Sequence, residues 1–203
     1  MPEKKVLVLY AHPSSARSEV NQRLFDAAKQ CQGVTAVDLY WEYPTYNINI
    51  DREQQRLRDH DVVIFQFPLY WYSTPAILKE WQDLVLEYGF AYGQDADALH
   101  GKVFFCALSA GGKQDAYQTD GYNHFPIRAL LHPIEQMATL TGMTYLPPFA
   151  LFGARTAKED GRIAAHLSQW TQLLNDLVAD RVESNTATQA ATLNDYLSQG
   201  GHA

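Results

Sequence analysis

The chain has little sulfur, little positive charge and no long apolar run. Its two cysteines, Cys31 and Cys106, lie far apart and form no C-x-x-C or zinc spacing. Cys106 sits inside the apolar run Val103 to Leu108 and reads as an inert buried thiol in a strand. Two thiols without a disulfide framework fit a reducing compartment, so a cytoplasmic location is expected. Lys and Arg number 16 against 23 Asp and Glu, a formal net charge of -7. That balance argues against a nucleic-acid binder, which needs a basic stripe to meet phosphates. It also argues against spontaneous docking on an anionic membrane. No apolar run approaches the length of a transmembrane helix. Met1-Pro2-Glu3-Lys4-Lys5 leads into a strand rather than a signal-peptide core. A G-x-G-x-x-G after the first strand is missing, as is a G-x-x-x-x-G-K-[ST]. Their absence argues against a dinucleotide Rossmann site and a nucleotide triphosphatase.

What is present is an alternation of apolar strands and amphipathic helices. Val6 to Tyr10, Val34 to Leu39, Asp61 to Phe67 and Val103 to Ser109 read as strands, and 143–151 contains a fifth. Helices are predicted over 18–30, 75–87, 126–141 and 156–182, with a short one capped by Asp51 and running to about His60. Residues 40–50 read as a long connection. Strands alternating with helices imply a doubly wound parallel sheet of order 2-1-3-4-5, with helices on both faces. The expected division is a domain over 1–183 and a polar tail over 184–203, read as frayed or protruding.

In such sheets ligands bind at the carboxyl ends of the strands, and three loops there carry distinctive residues. After the first strand, His12 to Ser18 offers the hydroxyls of Ser14, Ser15 and Ser18, the cation Arg17 and a helix N-terminus. Helix N-termini attract anions such as phosphate, and Ser18, Asn21 and His12 could meet one there. After the third strand, Pro68-Leu69-Tyr70-Trp71-Tyr72 sets three aromatics beside backbone N–H groups, a lining suited to a flat ring. After the fourth, Ser109-Ala110-Gly111-Gly112 lets backbone approach a ligand closely. Alone, each has a plain reading as helix capping, edge packing or a turn. Convergence of the three on neighbouring strands describes a flavin pocket.

With these residues in view, the chain resembles the flavodoxin-like NAD(P)H:quinone oxidoreductases, and most of all the ancillary proteins of glutathione-gated potassium efflux (Kef) systems. The resemblance rests on Leu9-Tyr10-Ala11-His12-Pro13, Asp38-Leu39-Tyr40 with Tyr43-Pro44, and Gln66 through Ser73. Leu78-Lys79-Glu80-Trp81, Gly89-Phe90-Ala91-Tyr92-Gly93, Leu99-His100-Gly101-Lys102 and Leu146-Pro147-Pro148-Phe149 extend it. Together they span about residues 5 to 180. The single-electron carrier flavodoxins fit less well, because their T-x-T-G-x-T phosphate loop is replaced here by His12 to Ser18.

The resemblance implies FMN as cofactor, with FAD as the alternative, and NAD(P)H as co-substrate. Hydride would pass through the flavin to a quinone or similar flat electrophile in ping-pong order. It implies that His12, Ser18, Glu19, Val20 and Asn21 surround the flavin phosphate and ribityl chain. Pro68, Leu69, Tyr70, Trp71 and Tyr72 would line the ring, and Ser109, Ala110, Gly111 and Gly112 would close its other side. Tyr117 stands where the family has an active-site tyrosine. The companion histidine is out of register, with Asn123 at its place and His124 one position later. Both Tyr117 and His124 also read as ordinary loop residues. The resemblance further implies a homodimer, with 40–50 and 88–93 as candidate interface segments. It implies as well a possible partner in the cytoplasmic face of a potassium efflux antiporter, which would place the protein peripherally at the inner membrane face. Two other readings stay open: a mainly regulatory subunit of such a system, or an azo- or nitroreductase on the same flavin.

Overall fold

A computed structural model describes residues 3–200. Met1, Pro2 and the last three residues of the polar tail lie outside them. β1 (Val6–Tyr10), β3 (Val62–Pro68) and β4 (Val103–Ser109) are buried at every position. Burial on both faces is what continuous aliphatic runs require of a central parallel strand. β1 pairs with β2 (Val34–Asp38) on one side and with β3 on the other, and β3 pairs with β4, all parallel. The order is the expected 2-1-3-4-5.

The fifth position is filled by two short pieces, β5 (Thr144–Tyr145) and β6 (Phe149–Leu151), both paired to β4. Pro147 and Pro148 lie between them and have no N–H to donate to the ladder.

Alternate strand residues feed two cores. Leu7, Leu9, Val63, Phe65 and Phe67 face a layer containing α3 (Ile50–Asp59), α4 (Ala76–Val85) and α6 (His132–Leu140), through Leu57, Ile77, Trp81, Ile134 and Ala138. Val6, Val8, Val62, Ile64 and Phe105 face α1 (Asn21–Ala28) and α7 (Arg162–Val178), through Leu24, Ala28, Trp170, Leu173 and Leu174.

Several expected boundaries move. α3 is capped by Asn49, whose Oδ1 accepts from the Arg52 N–H at 3.0 Å, so Asp51 lies inside the helix. The 40–50 connection opens with the short α2 (Leu39–Glu42), capped by Asp38. It is then tied down by Glu53, which is fully buried and accepts from Tyr43 Oη at 2.6 Å and Trp81 Nε1 at 2.9 Å. The helix expected over 126–141 divides into α5 (Ile127–Leu130) and α6 around Leu131, because Pro133 can sit only in the first turn of a helix. The last long helix begins at Arg162, after Gly161 at φ 71°, and ends at Val178.

The tail is not frayed over its described residues. Ser184–Ala187 and Leu193–Ser198 form α8 and α9. Thr192 and Asp195 make a capping box, and Leu193, Tyr196 and Leu197 are buried against the α7 side. The extension also pairs with the sheet edge. Leu193 N–H donates to the Pro148 carbonyl at 2.9 Å, and Ala150 N–H donates to Asn194 Oδ1 at 2.8 Å. These bonds satisfy edge groups that a bare strand would leave open.

His166 of α7 lies beneath this edge, 4 % exposed and stacked on Phe149 at 4.3 Å. Burial, aided by the charge of Arg162, pushes its pKa down from 6.5 to about 4. The unfolded chain therefore binds the extra proton between those values. His166's contribution is full above pH 6.5 and is lost as pH falls toward 4. The contribution is on the order of 3 kcal/mol. Urea unfolding from pH 7 to 4 should show a steeper loss of stability in the wild type than in His166→Gln; equal slopes would show that the histidine does not titrate this way.

Candidate functional site

The three loops meet in one cavity of about 820 Å³ at the carboxyl ends of β1, β3 and β4. Strand register brings them level, since Tyr10 lies opposite Gln66 and Gln66 opposite Ala107.

His12 begins the first wall. It is buried, and its Nδ1 accepts from the Ser14 N–H at 3.0 Å, leaving Nε2 as the protonated nitrogen of a neutral ring. Burial holds its pKa below the ordinary imidazole value. A one-turn 3₁₀ helix, Ser15–Arg17, then leads to α1. The helix starts at Asn21, three residues later than expected, and Ser18 Oγ accepts from the Gln22 N–H at 3.2 Å. Arg17, Ser18, Glu19, Val20 and Asn21 line the cavity. Ser14 and Ser15 do not. Ser15 turns its hydroxyl to Tyr10 Oη at 2.9 Å, and burial pushes that phenol up to about 12.

The second wall is Pro68 through Tyr72. The Leu69 N–H donates to the Ser109 carbonyl at 2.8 Å, so this loop and the glycine loop are joined at their bases. Tyr70 and Ser73 close a tight turn whose central residues, Trp71 and Tyr72, have φ of 48° and 62°. Positive φ at both centres is the type I′ pattern, which glycine and asparagine usually fill. Two aromatics there store strain of about 1–2 kcal/mol each. Trp71 is 93 % exposed at the mouth.

Ser109, Gly111 and Gly112 form the third wall. Ala110 is fully buried behind it and does not line the cavity. Its N–H donates to Leu151 and its carbonyl accepts from Ala154, so it carries the wall rather than facing a ligand. A Cβ on Gly112 would stand 3.2 Å from the Tyr117 ring. Tyr117 lines the cavity and packs on Phe152, with its pKa raised by burial. Asn123 also lines it and accepts from Tyr72 Oη at 3.1 Å. His124 is not among the lining residues and is not brought together with Tyr117 there.

The sequence reading missed a fourth wall, Ala154 and Arg155 after β6, together with Ala116 and Tyr122. The rule that sites sit at strand carboxyl ends extends to the strand at this edge and would have reached Ala154 and Arg155. Lys158 reaches back from this segment to Glu19 at 2.6 Å. Neither Arg17 nor Arg155 has a carboxylate partner among the described residues. Two cations, a helix N-terminus, glycine backbone and strained aromatics suit a flat ring joined to an anion. Asn21 Oδ1, buried and unpartnered, is a further polar atom at this wall. No cluster of three or more His, Cys, Asp or Glu side chains suited to a metal occurs among the described residues.

The fold and site together define an open α/β protein with an anion-and-ring pocket at the switch point of its sheet. The chain belongs to the Flavodoxin_2 family, of flavodoxin-like fold, whose profile matches residues 4–174. KefG, the glutathione-regulated potassium-efflux ancillary protein of Serratia proteamaculans, is 47 % identical over 156 residues, covering 77 % of this chain and 85 % of that one. The structure of general stress protein 14 from Treponema denticola, in complex with FMN, matches with TM-score 0.80 at 33 % identity, covering 85 % of this chain and 99 % of that one. The NADPH-quinone reductase from P. pentosaceus matches with TM-score 0.75 at 34 % identity, covering 84 % and 97 %. α8 and α9 lie beyond the residues matched by the family profile.

Proposed function

We propose that the protein is an FMN-dependent NAD(P)H oxidoreductase acting on quinones or similar flat electrophiles. The convergence of the anion loop, the aromatic turn and the glycine loop on one cavity carries this reading. The FMN complex of one relative and the quinone reductase name of another support it. Bound FMN supplies the two-electron chemistry, so the protein's task is position and electrostatics. Arg17, Ser18 and the start of α1 hold the phosphate. Pro68 to Tyr72 and Gly111 to Gly112 would flank the ring, and the backbone N–H groups of Tyr70, Trp71, Tyr72, Gly111 and Gly112 are the ones that could stabilise negative charge at its polar edge, since that of Leu69 is taken by the Ser109 carbonyl. Tyr117 borders the same space as part of the ring's wall. His124 has no part in this arrangement, and a tyrosine–histidine pair is not needed by it.

A volume of about 820 Å³ lies within the usual range for one ligand site. If NAD(P)H and the acceptor take the same exposed face of the ring in turn, the order is ping-pong. Parallel initial-velocity lines at several acceptor concentrations are expected; intersecting lines would mean a ternary complex.

A second reading, a mainly regulatory subunit of a potassium efflux antiporter docked at the membrane's inner face, draws on the similarity to KefG. No helix among the described residues is long and apolar enough to cross a membrane. One spectrum separates the readings. After FMN addition and desalting, the protein should retain the flavin peaks, and anaerobic NADPH should bleach them. Retained peaks that do not bleach would favour a flavin-binding regulator, and no retained flavin would remove the oxidoreductase reading and leave the regulatory one in the lead.

We further propose a homodimer. Trp41, Tyr46, Tyr88 and Tyr92 are exposed on the 40–50 and 88–93 segments, and aromatics of this kind are enriched at interfaces. Light scattering at micromolar concentration should give twice the 22.9 kDa chain mass; a monomer mass would defeat this assignment.

A further inference from the structure

Gln66 is the one polar side chain in the buried strand Val62–Pro68, and it has no exposure at all. It does not line the cavity, yet it touches both ends of the anion loop. Its backbone carbonyl accepts from the Ala11 N–H at 2.9 Å, where the chain leaves β1. Its Nε2 donates to the Asn21 carbonyl at 2.7 Å, where the chain enters α1. Asn21 in turn donates through Nδ2 to Ser109 Oγ at 2.7 Å, and the Ser109 carbonyl holds the Leu69 N–H. One chain of hydrogen bonds thus runs from β3 through the head of α1 to the bases of the other two loops.

This arrangement works against packing. Gln66 Oε1 and Asn21 Oδ1 are both buried without a partner. A buried amide with an unpaired oxygen is worse for a core than an apolar side chain of similar shape. Asn21 is also the first residue of α1, so its carbonyl has an intrahelical acceptor role that does not need Gln66. Core filling therefore does not explain the amide, whereas loop geometry does.

We infer that Gln66 is a positioning residue. Its amide pins the α1 end of segment 12–20, the β1 end being held by the backbone carbonyl of the same residue, and through Asn21 it sets that segment's register against the glycine loop. The part of this inference that concerns flavin affinity rests on the reading of the cavity as an FMN site. The clasp itself does not.

The test is Gln66→Met, which keeps length and removes the amide, studied first as apoprotein. Its melting temperature should equal or exceed that of the wild type. Hydrogen exchange of amides in 12–20 should nevertheless quicken by about tenfold, while β3 and β4 stay protected. The FMN dissociation constant, read by flavin fluorescence quenching, should rise about tenfold, as expected for one typical hydrogen bond. Ser109→Ala breaks the far end of the chain and should also speed exchange in 12–20. The double variant should weaken FMN binding by less than the product of the two single factors, because both act through Asn21.

A lower melting temperature with unchanged exchange in 12–20 would make Gln66 a core residue only and overturn the inference. Independent, multiplying factors would overturn the link through Asn21. Should Gln66→Met fail to fold, unchanged exchange in Ser109→Ala would do the same. Should the wild type bind no FMN, the flavin reading falls, and exchange in 12–20 alone decides for or against the clasp.

Discussion

Parallel pairing of β1, β3 and β4 in level register is the constraint on which the rest depends. Val6 stands opposite Val62, and Val62 opposite Val103. The three strands therefore end within two residues of one another, and their loops begin on a common rim. A slip of one residue would turn each strand's side chains to the other face and empty both cores. Burial on both faces makes such a slip prohibitive, because Leu7, Leu9, Phe65 and Phe104 fill one layer while Val8, Ile64 and Phe105 fill the other. The rigidity of the rim is thus a by-product of core packing.

Against that scaffold, two pairs of departures from ordinary backbone and polar behaviour lie at or beside the cavity, although others, such as Tyr46 and Asp95 at positive φ, lie away from it. Trp71 and Tyr72 hold positive φ in succession, and Asn21 and Gln66 each bury an unpartnered amide oxygen. A chain chosen only for stability would carry glycine in the turn and apolar residues in the strand. Violations of local rules are tolerated where a site needs them, and these four residues stand at or directly behind the cavity wall. The contrast with Glu53 is instructive. That buried carboxylate receives hydrogen bonds from Tyr43 and Trp81 and pairs with Arg56, and its task is to fasten a connection remote from the cavity.

The C-terminal extension shows the same economy at the sheet edge. β6 is short because two prolines precede it, and a short edge strand leaves backbone groups open. Asn194 and Leu193 close them, and α9 covers the neighbouring apolar surface. The composition of 184–203 concealed this. Among its described residues Thr192 and Asp195 form a cap and Asn194 is an edge partner, and the apolar Leu193, Tyr196 and Leu197 are too sparse to show a period yet are all buried.

Periodicity and local chemistry by themselves indicated the strands, the doubly wound order, and that the loops after the first, third and fourth strands share one end of the sheet. Those features follow from hydrophobic runs, which act over a few residues and can be read one segment at a time. Tertiary structure alone decided the rest. Ala110 proved to be support and not lining, Asn123 entered the cavity where His124 did not, and Arg155 arrived from the far end of the chain. The reason is physical. A residue's presence in a cavity is settled by which backbone groups its neighbours' hydrogen bonds consume, as Leu151 and Ala154 consume those of Ala110. Those partners are distant in sequence and acquire positions only when the sheet closes them together.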